Sequence, residues 1–391
     1  MKIAVVGGGP AGLYFAMLVR KRKPDWSVVV LEQNAPDATF GFGVVMADSG
    51  RHSLSMADQA SHDALLRKMT LTDQQVITVR ETPIVIQRPG KGGAIRRIDL
   101  LQVLQNAALR EGVEVRSGIR LESTAQLADH GLADADIVVG ADGVNSVVRK
   151  DDEAGFGTRH SQLSNHFAWF GVGKAFPTPA LVFRRYMDGN FIAHYYPYTE
   201  SNSTFVAECD GATWDRFDME NMSPDDRREL FEQVFAPELG GYPLLSNNSL
   251  WRQFPVVRNN QWISGNKVLI GDAHASAHFS IGSGTRIAME DSIALAAAVC
   301  ETEGSVADRL RAFEAQRGPE KDKLISASER SYLWYENIGE WMTRYTPHEF
   351  VYRFMTRTGR VSDGRLASAF PQLFAELCSA GVIASTTPAE H

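Results

Sequence analysis

Gly7-Gly8-Gly9-Pro10-Ala11-Gly12 places its glycines as G-x-G-x-x-G between an apolar run at residues 2–6 and a segment of helical spacing at 10–23. The chemistry such a turn performs is the capture of a dinucleotide phosphate. Gly7 permits the tight turn, Gly9 lets a pyrophosphate approach the backbone, and Gly12 allows the helix to pack closely on the strand. Pro10 and Ala11 open the helix, whose free N–H groups face the phosphate. Glu32 lies 20 residues beyond Gly12, at the end of a second apolar strand over 27–31, where a carboxylate accepts from ribose hydroxyls. An acid there also repels a 2′-phosphate, so NADP is disfavoured as the resident nucleotide. A purely structural glycine turn is the competing explanation, and the register of strand, helix and acid weighs against it.

The elements that position this turn read as β-α-β, with Arg20 to Lys23 at the negative end of the helix and Pro24 stopping it. Further along, residues 76–87 alternate as a strand does, 98–109 return to helical spacing, and 113–116 and 137–139 are short strands. From 167 to 208 the chain turns aromatic and β-rich, with Phe183, Tyr186, Phe191, Tyr195, Tyr196, Tyr198 and Phe205 among turn residues. Residues 224–235 are helical, 267–270 form a buried strand, and 285–300 form a long, nearly all-apolar helix. After Pro319 the chain reads as helical to its end. Cofactor-type elements thus stand at the start, the middle and after residue 265, with β-rich insertions between them.

The 391 residues suggest two or three structural units. Hydrophobic residues at 44% and charged residues at 22% match soluble globular proteins and argue against disorder or coiled coil. A net charge of −7 argues against a general nucleic-acid binder. Cys209, Cys300 and Cys378 form no Cys-x-x-Cys pair, so neither a disulfide framework nor a structural zinc is expected, and a reducing cytoplasm fits. The apolar stretch 3–19 holds four glycines and a proline, unlike a secretory core, and no stretch approaches a bilayer span.

Two further motifs follow predicted strands: Gly140-Ala141-Asp142-Gly143-Val144-Asn145-Ser146-Val147-Val148-Arg149, and Gly271-Asp272-Ala273. With the N-terminal turn they resemble the aromatic-hydroxylase flavoproteins of the para-hydroxybenzoate hydroxylase type, whose FAD domain is assembled from three separated stretches. Three strings narrow the resemblance: residues 41–45 (Gly-Phe-Gly-Val-Val), His278 to Thr285, and Ala288-Met289-Glu290-Asp291-Ser292-Ile293-Ala294-Leu295. They look like the subgroup of salicylyl-CoA 5-hydroxylase, the hydroxylase part of anthraniloyl-CoA monooxygenase, and the violacein-pathway tryptophan hydroxylase. Residues 356–361 (Thr-Arg-Thr-Gly-Arg-Val) are similar to the C-terminal segment of the CoA-ester members. One departure stands out: those enzymes carry a histidine two places after Gly-Asp-Ala, where this chain has Ala275, preceded by His274.

The resemblance implies an α/β, FAD-binding Rossmann-like fold with an inserted β-rich substrate domain and a helical C-terminus. The implied division is an FAD-binding domain over 1–73, 96–157 and 265–320, a substrate domain over 74–95 and 158–264, and a helical segment over 321–391. It implies flavin contacts from Gly7, Gly9, Pro10, Ala11, Gly12, Glu32, Gln33, Val44, Arg97, Gly271, Asp272, Gly282, Ser283, Gly284 and Thr285. Asp142 and Arg149 are implied to serve both FAD and a transient nicotinamide. For Asp142 an Asp-Gly turn is the alternative. The implied activity is single-component, NAD(P)H-dependent hydroxylation of an aromatic ring by O2 through a flavin C4a-hydroperoxide, with an aryl-CoA thioester such as salicylyl-CoA as substrate and a homodimer left open. A free tryptophan- or indole-type substrate and a non-enzymatic FAD-binding regulator are the alternatives. A halogenase is disfavoured because Trp-x-Trp-x-Ile-Pro is absent, and a disulfide reductase because no cysteine pair exists.

Elementary physics supports the ring site: two glycines at 282 and 284 let backbone N–H groups approach a planar ring, and the helix from Thr285 aims its positive end there. Reduced, anionic flavin is stabilised by such a dipole. His278 and His194 are the candidate catalytic groups, each with a structural alternative as a satisfied anchor. Between residues 344 and 365 five arginines stand against two acids, so this segment carries +3 in a chain whose remainder carries −10. Arg357 and Arg360 are therefore candidates for a CoA phosphate, with a solvated helix face as the alternative.

Overall fold

A computed structural model describes residues 1–36, 41–46, 48–282 and 284–384. The nucleotide half is built on a six-stranded sheet in the order Ile263–Ser264, Lys267–Leu269, Ile137–Gly140, Lys2–Val6, Ser27–Glu32, Glu114–Ser117. Lys2–Val6 pairs in parallel with both Ser27–Glu32 and Ile137–Gly140, so Ile3, Ala4 and Val5 lose all solvent contact. A central parallel strand is covered on both faces, which is why its sequence is an unbroken apolar run. The helix Pro10–Arg22 crosses between the first two strands and buries residues from Ala11 to Val19. The helix Gly284–Glu301 packs on it, and the Ser292 hydroxyl donates to the Ala11 carbonyl at 2.8 Å.

The second sheet has nine strands in the order Leu244–Leu245, Thr158–Val172, Ser203–Cys209, Gly189–Pro197, Ala180–Tyr186, Met69–Val79, Thr82–Arg96, Gly43–Met46, with Arg252–Asn259 also paired to Thr158–Val172. Its two faces follow the period of two. Phe191, Ala193, Phe205 and Ala207 point to a core shared with Trp214, Phe231 and Phe235 from the helices Gly211–Arg216 and Pro224–Val234 and the residue after them. Ile77, Ile84, Phe183 and Ile192 point the other way, against Ile338, Phe350 and Phe354 of the C-terminal helices Ile338–Arg344 and Pro347–Thr356.

The mixed architecture, the β-rich insertion and the helical C-terminus follow the expectation, while three local features differ from it. The alternating stretch 76–87 is two antiparallel strands, because Arg80 and Glu81 take φ of 46° and 65° and close a tight hairpin without a glycine. Gly43–Met46 and all of Met69–Val79 belong to the large sheet, so pairing carries that sheet into the segment assigned to the nucleotide half. Pro319 lies inside the helix Val306–Glu336 rather than before it. Burial of Arg317, Lys321 and Leu324 on one side of that helix offsets the backbone bond the proline removes. Among the described residues no helix is long and apolar enough to cross a membrane.

Candidate functional site

A cleft of about 680 Å³ opens at the carboxyl ends of the parallel strands, where an open α/β sheet places its ligands. Its walls bring together Gly7, Gly9, Pro10, Ala11, Glu32, Gln33, Arg97, Asp142, Gly271, Asp272, Gly284 and Thr285 from all three sequence motifs. The glycines divide by what a side chain would meet. A Cβ at Gly12 would stand 2.0 Å from the Gly7 carbonyl oxygen, and one at Gly7, where φ is 105°, would stand 2.4 Å from the Ala141 oxygen. At Gly9 nothing lies within 4 Å, because that position faces the open cleft. Gly12→Ala is therefore expected to cost about 3 kcal/mol, since backbone atoms cannot give way. Gly9→Asp is expected to keep the wild-type Tm and lose flavin, readable as the 450 nm absorbance of the purified protein. Equal flavin content in Gly9→Asp and wild type would place the pyrophosphate elsewhere.

The polar lining is part used and part free. Glu32 Oε2 accepts from the Gly8 N–H at 2.7 Å and its Oε1 from the Asn34 N–H at 2.8 Å, which fixes the carboxylate at the lip. Asp142 Oδ2 accepts from the Val147 N–H at 2.7 Å, while Oδ1 is buried with no partner among the described residues. Burial pushes its pKa up, against the pull of its hydrogen bonds. Asp272 keeps accessible surface because it faces the cleft, yet it is deeply enclosed, and that enclosure raises its pKa against the opposing charge of Lys321. The Arg97 N–H donates to the Phe42 carbonyl, and among the described residues its guanidinium makes no hydrogen bond although Asp272 and Glu32 both act on it. A desolvated guanidinium without a partner, an orphaned carboxylate oxygen and an open glycine cradle are the groups FAD requires for its pyrophosphate and hydroxyls, so the residues present fit that cofactor.

Behind the cleft, the Gly271 peptide is clamped from both sides. Its N–H donates to Asp291 Oδ2 at 2.9 Å and its carbonyl accepts from Lys321 Nζ at 3.2 Å. Lys321 and Asp291 meet at 2.5 Å with no side-chain exposure, and Arg317 Nε donates to the other Asp291 oxygen at 2.8 Å. Gly271 has φ of 60°, a left-handed turn that aims Asp272 into the cleft. Sequence reasoning quoted Asp291 within a string but gave it no role, and missed Lys321. Their partnership spans two helices and leaves no local signal.

Other expected site residues stand outside the cleft. Arg149 donates to the Ala273 carbonyl at 3.0 Å and the Val144 carbonyl at 2.6 Å, so it ties the second motif to the third. Gly12 packs helix on strand, and Val44 pairs with Ile95. Gly282 takes φ of 57° and ends a short turn over Phe279–Ile281; Ser283 lies outside the described residues. His278 heads that turn: its Nδ1 accepts from the Ser280 N–H at 3.2 Å, and its own N–H donates to Ser328 Oγ at 2.9 Å. The ring is walled by Phe279 and Phe254, and burial, aided by Arg357, pushes its pKa down to about 3. The Nδ1 of His278 is thus held by its own turn, and the ring is neutral at physiological pH. His274 stacks on Trp262 at 3.8 Å, and among the described residues both its ring nitrogens lack partners.

Arg357 is spent inside the protein. It donates to Ser331 Oγ at 2.9 Å, to the Ser280 carbonyl at 2.7 Å and to the Phe354 carbonyl at 2.5 Å, and it lies over the Phe354 ring. It fastens the His278 loop to the C-terminal helices. Arg360 is exposed and borders a surface hollow of about 430 Å³ together with Lys323 and Arg330, and with Glu320 and Asp322. His194 stands on Gly189–Pro197, on the same face of the large sheet as Trp169, which packs against Phe279 at 5.7 Å.

Comparison with known proteins agrees with this geometry. A family model described as FAD binding domain matches residues 1–328. A salicyloyl-CoA 5-hydroxylase of Streptomyces sp is 36% identical over 376 residues, spanning 94% of this chain and 71% of that protein. A 3-hydroxy-4-methyl-anthranilyl-(aryl-carrier protein) 5-monooxygenase of Streptosporangium sibiricum is 34% identical, spanning 94% and 97%. A protodeoxyviolaceinate monooxygenase of Chromobacterium violaceum is 34% identical, spanning 91% and 94%. Among solved structures, the tetrameric form of 2-methyl-3-hydroxypyridine-5-carboxylic acid oxygenase aligns with a TM-score of 0.72 at 20% identity, covering 92% of this chain and 96% of that one, which is a likeness of fold. With the cleft, its unpartnered polar groups and these relatives in agreement, the chain belongs to the FAD binding domain family and is a flavin-dependent monooxygenase of the para-hydroxybenzoate hydroxylase type.

Proposed function

We propose that this monooxygenase hydroxylates the aromatic ring of an aryl-CoA thioester, with 5-hydroxylation of salicylyl-CoA as the leading case. Two of the relatives support an aryl group borne on a carrier, since one is named for a CoA ester and the other for an aryl-carrier protein. The observation that carries the reading on this chain is the pairing of a nucleotide cleft with a surface hollow where Arg330 and the exposed Arg360 stand beside a Lys323–Glu320 ion pair and Asp322.

Bound FAD, reduced by NAD(P)H, supplies the oxygen activation. The chain's own residues do the rest. Arg97 neutralises the pyrophosphate, and Asp142, Asp272 and Glu32 take the hydroxyls and the nicotinamide end. His278 and Arg357 hold the glycine loop, so that its N–H groups and the start of the helix Gly284–Glu301 face the ring. Phe167, Trp169, Phe254 and Phe279 form an apolar wall, with Phe167 and Phe279 at 4.7 Å, that keeps water from the reacting face.

The test is NADH and NADPH consumption over a panel of aryl-CoA thioesters and free aromatic acids, with products identified by mass. Salicylyl-CoA is expected to stimulate oxidation and give the hydroxylated thioester. Arg360→Glu should raise KM for the ester by about tenfold with kcat unchanged, the pattern of lost uniform binding. Hydroxylation of free salicylate or tryptophan with no response to CoA esters would move the substrate to the free-compound alternative, which the violacein-type relative favours.

A further inference from the structure

Behind the glycine loop the hydrogen bonds of four polar side chains run in one direction. Arg357 follows the helix Pro347–Thr356, is largely enclosed, and donates from Nε to Ser331 Oγ at 2.9 Å. Ser331 stands without solvent exposure on the helix Val306–Glu336, and its Oγ lies 2.8 Å from Ser280 Oγ. Ser280 Oγ lies in turn 2.8 Å from His278 Nδ1, which also accepts from the Ser280 N–H at 3.2 Å. The series thus joins two C-terminal helices to the turn Phe279–Ile281. Gly282 after that turn leads into the helix Gly284–Glu301, whose first residues wall the cleft.

Neither end of the series is free to reverse. A guanidinium carries donors and no acceptor, so Ser331 Oγ accepts from Arg357. A backbone N–H also donates and nothing else, so His278 Nδ1 is the unprotonated nitrogen of a neutral ring. Between these fixed ends each hydroxyl has one proton to give. Among the described residues Ser280 Oγ is the acceptor that the Ser331 hydroxyl reaches, and His278 Nδ1 is the acceptor that the Ser280 hydroxyl reaches. Every proton therefore points from Arg357 toward the imidazole. The ring's own proton is left on Nε2, which makes no hydrogen bond among the described residues.

Arg357 pairs with no carboxylate among the described residues. Its acceptors are the Ser331 hydroxyl and the Ser280 and Phe354 carbonyls, and its guanidinium lies 3.9 Å from the centre of the Phe354 ring. A largely enclosed cation at the head of aligned hydroxyl dipoles polarises each bond in turn, because the low local dielectric screens it little. The last donor in the series, the His278 Nε2–H, carries the gain.

We propose that Arg357, Ser331 and Ser280 act as one positioning set that fixes His278 as the Nε2–H tautomer and strengthens that N–H as a donor at the flavin loop. On this assignment His278 is a hydrogen-bond donor and not a base, because its Nδ1 is already occupied. The buried charge and the polarised N–H both favour negative charge beside the loop, and FAD gains negative charge when it is reduced. The set therefore raises the reduction potential of the flavin, whichever aromatic compound is hydroxylated.

The test reads the tautomer and the potential of the FAD-loaded protein. With histidine isotopically labelled in its ring nitrogens, NMR at neutral pH is expected to show a protonated Nε2 and an unprotonated Nδ1 for His278, assigned by the signals lost in His278→Asn. A protonated Nδ1, or a doubly protonated ring, overturns the proposal. Ser280→Ala and Ser331→Ala should each weaken binding of reduced FAD relative to oxidised FAD by about fivefold, read as a fall of about 20 mV in the two-electron potential. Ser280→Thr, which keeps the hydroxyl, should hold the wild-type value. The double variant should fall no further than either single one, since one break interrupts the whole series. Serines that serve packing alone would lower Tm and leave the potential in place. Unchanged potentials in both single variants, or falls that add in the double, overturn the relay. If Ser331→Ala does not fold, the wild-type tautomer and the contrast of Ser280→Ala with Ser280→Thr still decide it.

Discussion

Lys321→Met is expected to destabilise the protein by about 3 to 5 kcal/mol and to strip it of flavin. The size follows from burial. Lys321 and Asp291 are both without exposure and 2.5 Å apart, so removing the ammonium leaves a carboxylate with no route to water. Arg317 Nε still reaches one Asp291 oxygen, but the other would keep only the Gly271 N–H. The flavin effect has a separate cause, because Lys321 also holds the Gly271 carbonyl and its charge opposes the burial that raises the Asp272 pKa. The double variant Lys321→Met with Asp291→Asn removes both charges and should recover much of the stability. It should not recover FAD affinity, measured by titrating apoprotein and following the quenching of flavin fluorescence. Full recovery of both properties would make the pair a packing feature only, and unchanged Tm in the single variant would show that water reaches Asp291.

The contrast between this clamp and the glycine turn explains what could be foreseen. The turn from Gly7 to Gly12 is legible because strand, turn and helix are consecutive, and each glycine answers a local demand. The Gly271 clamp joins residues 20 and 50 positions apart through the packing of two helices, so no window of sequence contains it. The strand pairings of the large sheet are hidden in the same way: period-two patterning shows which side a residue faces, but not which strand lies beside which.

Charge counting illustrates the same limit from the other direction. The surplus of arginines between 344 and 365 is visible in the sequence, and Arg360 does reach solvent, at a hollow of mixed charge. Arg357, three residues earlier, is consumed by three internal acceptors, which a net charge cannot register. His278 follows a related rule: proximity to the glycine loop marked it, but only the folded turn shows its ring nitrogen held by Ser280 and its backbone N–H by Ser328. Reversing the charge of Arg357 therefore probes the loop's anchorage, whereas Arg360 probes the surface.

Stability is expected to pass through a maximum near pH 6.5, because two classes of buried group with opposite shifts act on either side of it. His278 is neutral in the folded protein, with its pKa pushed down from 6.5 to about 3, and His274 is lowered in the same direction by burial. Below pH 6.5 the unfolded chain takes up protons these rings refuse, so their contribution is present above 6.5 and is lost as pH falls. For His278 alone the loss at pH 5 is about 2 kcal/mol. Glu208 is displaced the other way, raised from 4.5 to about 8 by burial, with Glu336 and Asp210 adding to the rise and the Asn165 hydrogen bond at 2.9 Å opposing it. The folded protein keeps a proton that the unfolded chain has released, so this contribution is complete below pH 4.5 and is lost as pH rises toward 8. Between 4.5 and 6.5 the histidines outnumber the glutamate and stability rises with pH; above 6.5 the histidines no longer contribute a slope and the loss of the Glu208 proton makes stability fall. Thermal melts from pH 4.5 to 8.5 should therefore show a Tm maximum near 6.5 in wild type, and Glu208→Gln, which keeps the shape without the proton, should flatten the alkaline limb. An alkaline limb that persists in Glu208→Gln would mean that Glu208 is already ionised in the folded protein, and an acid limb unchanged by His278→Asn would remove that histidine from the account.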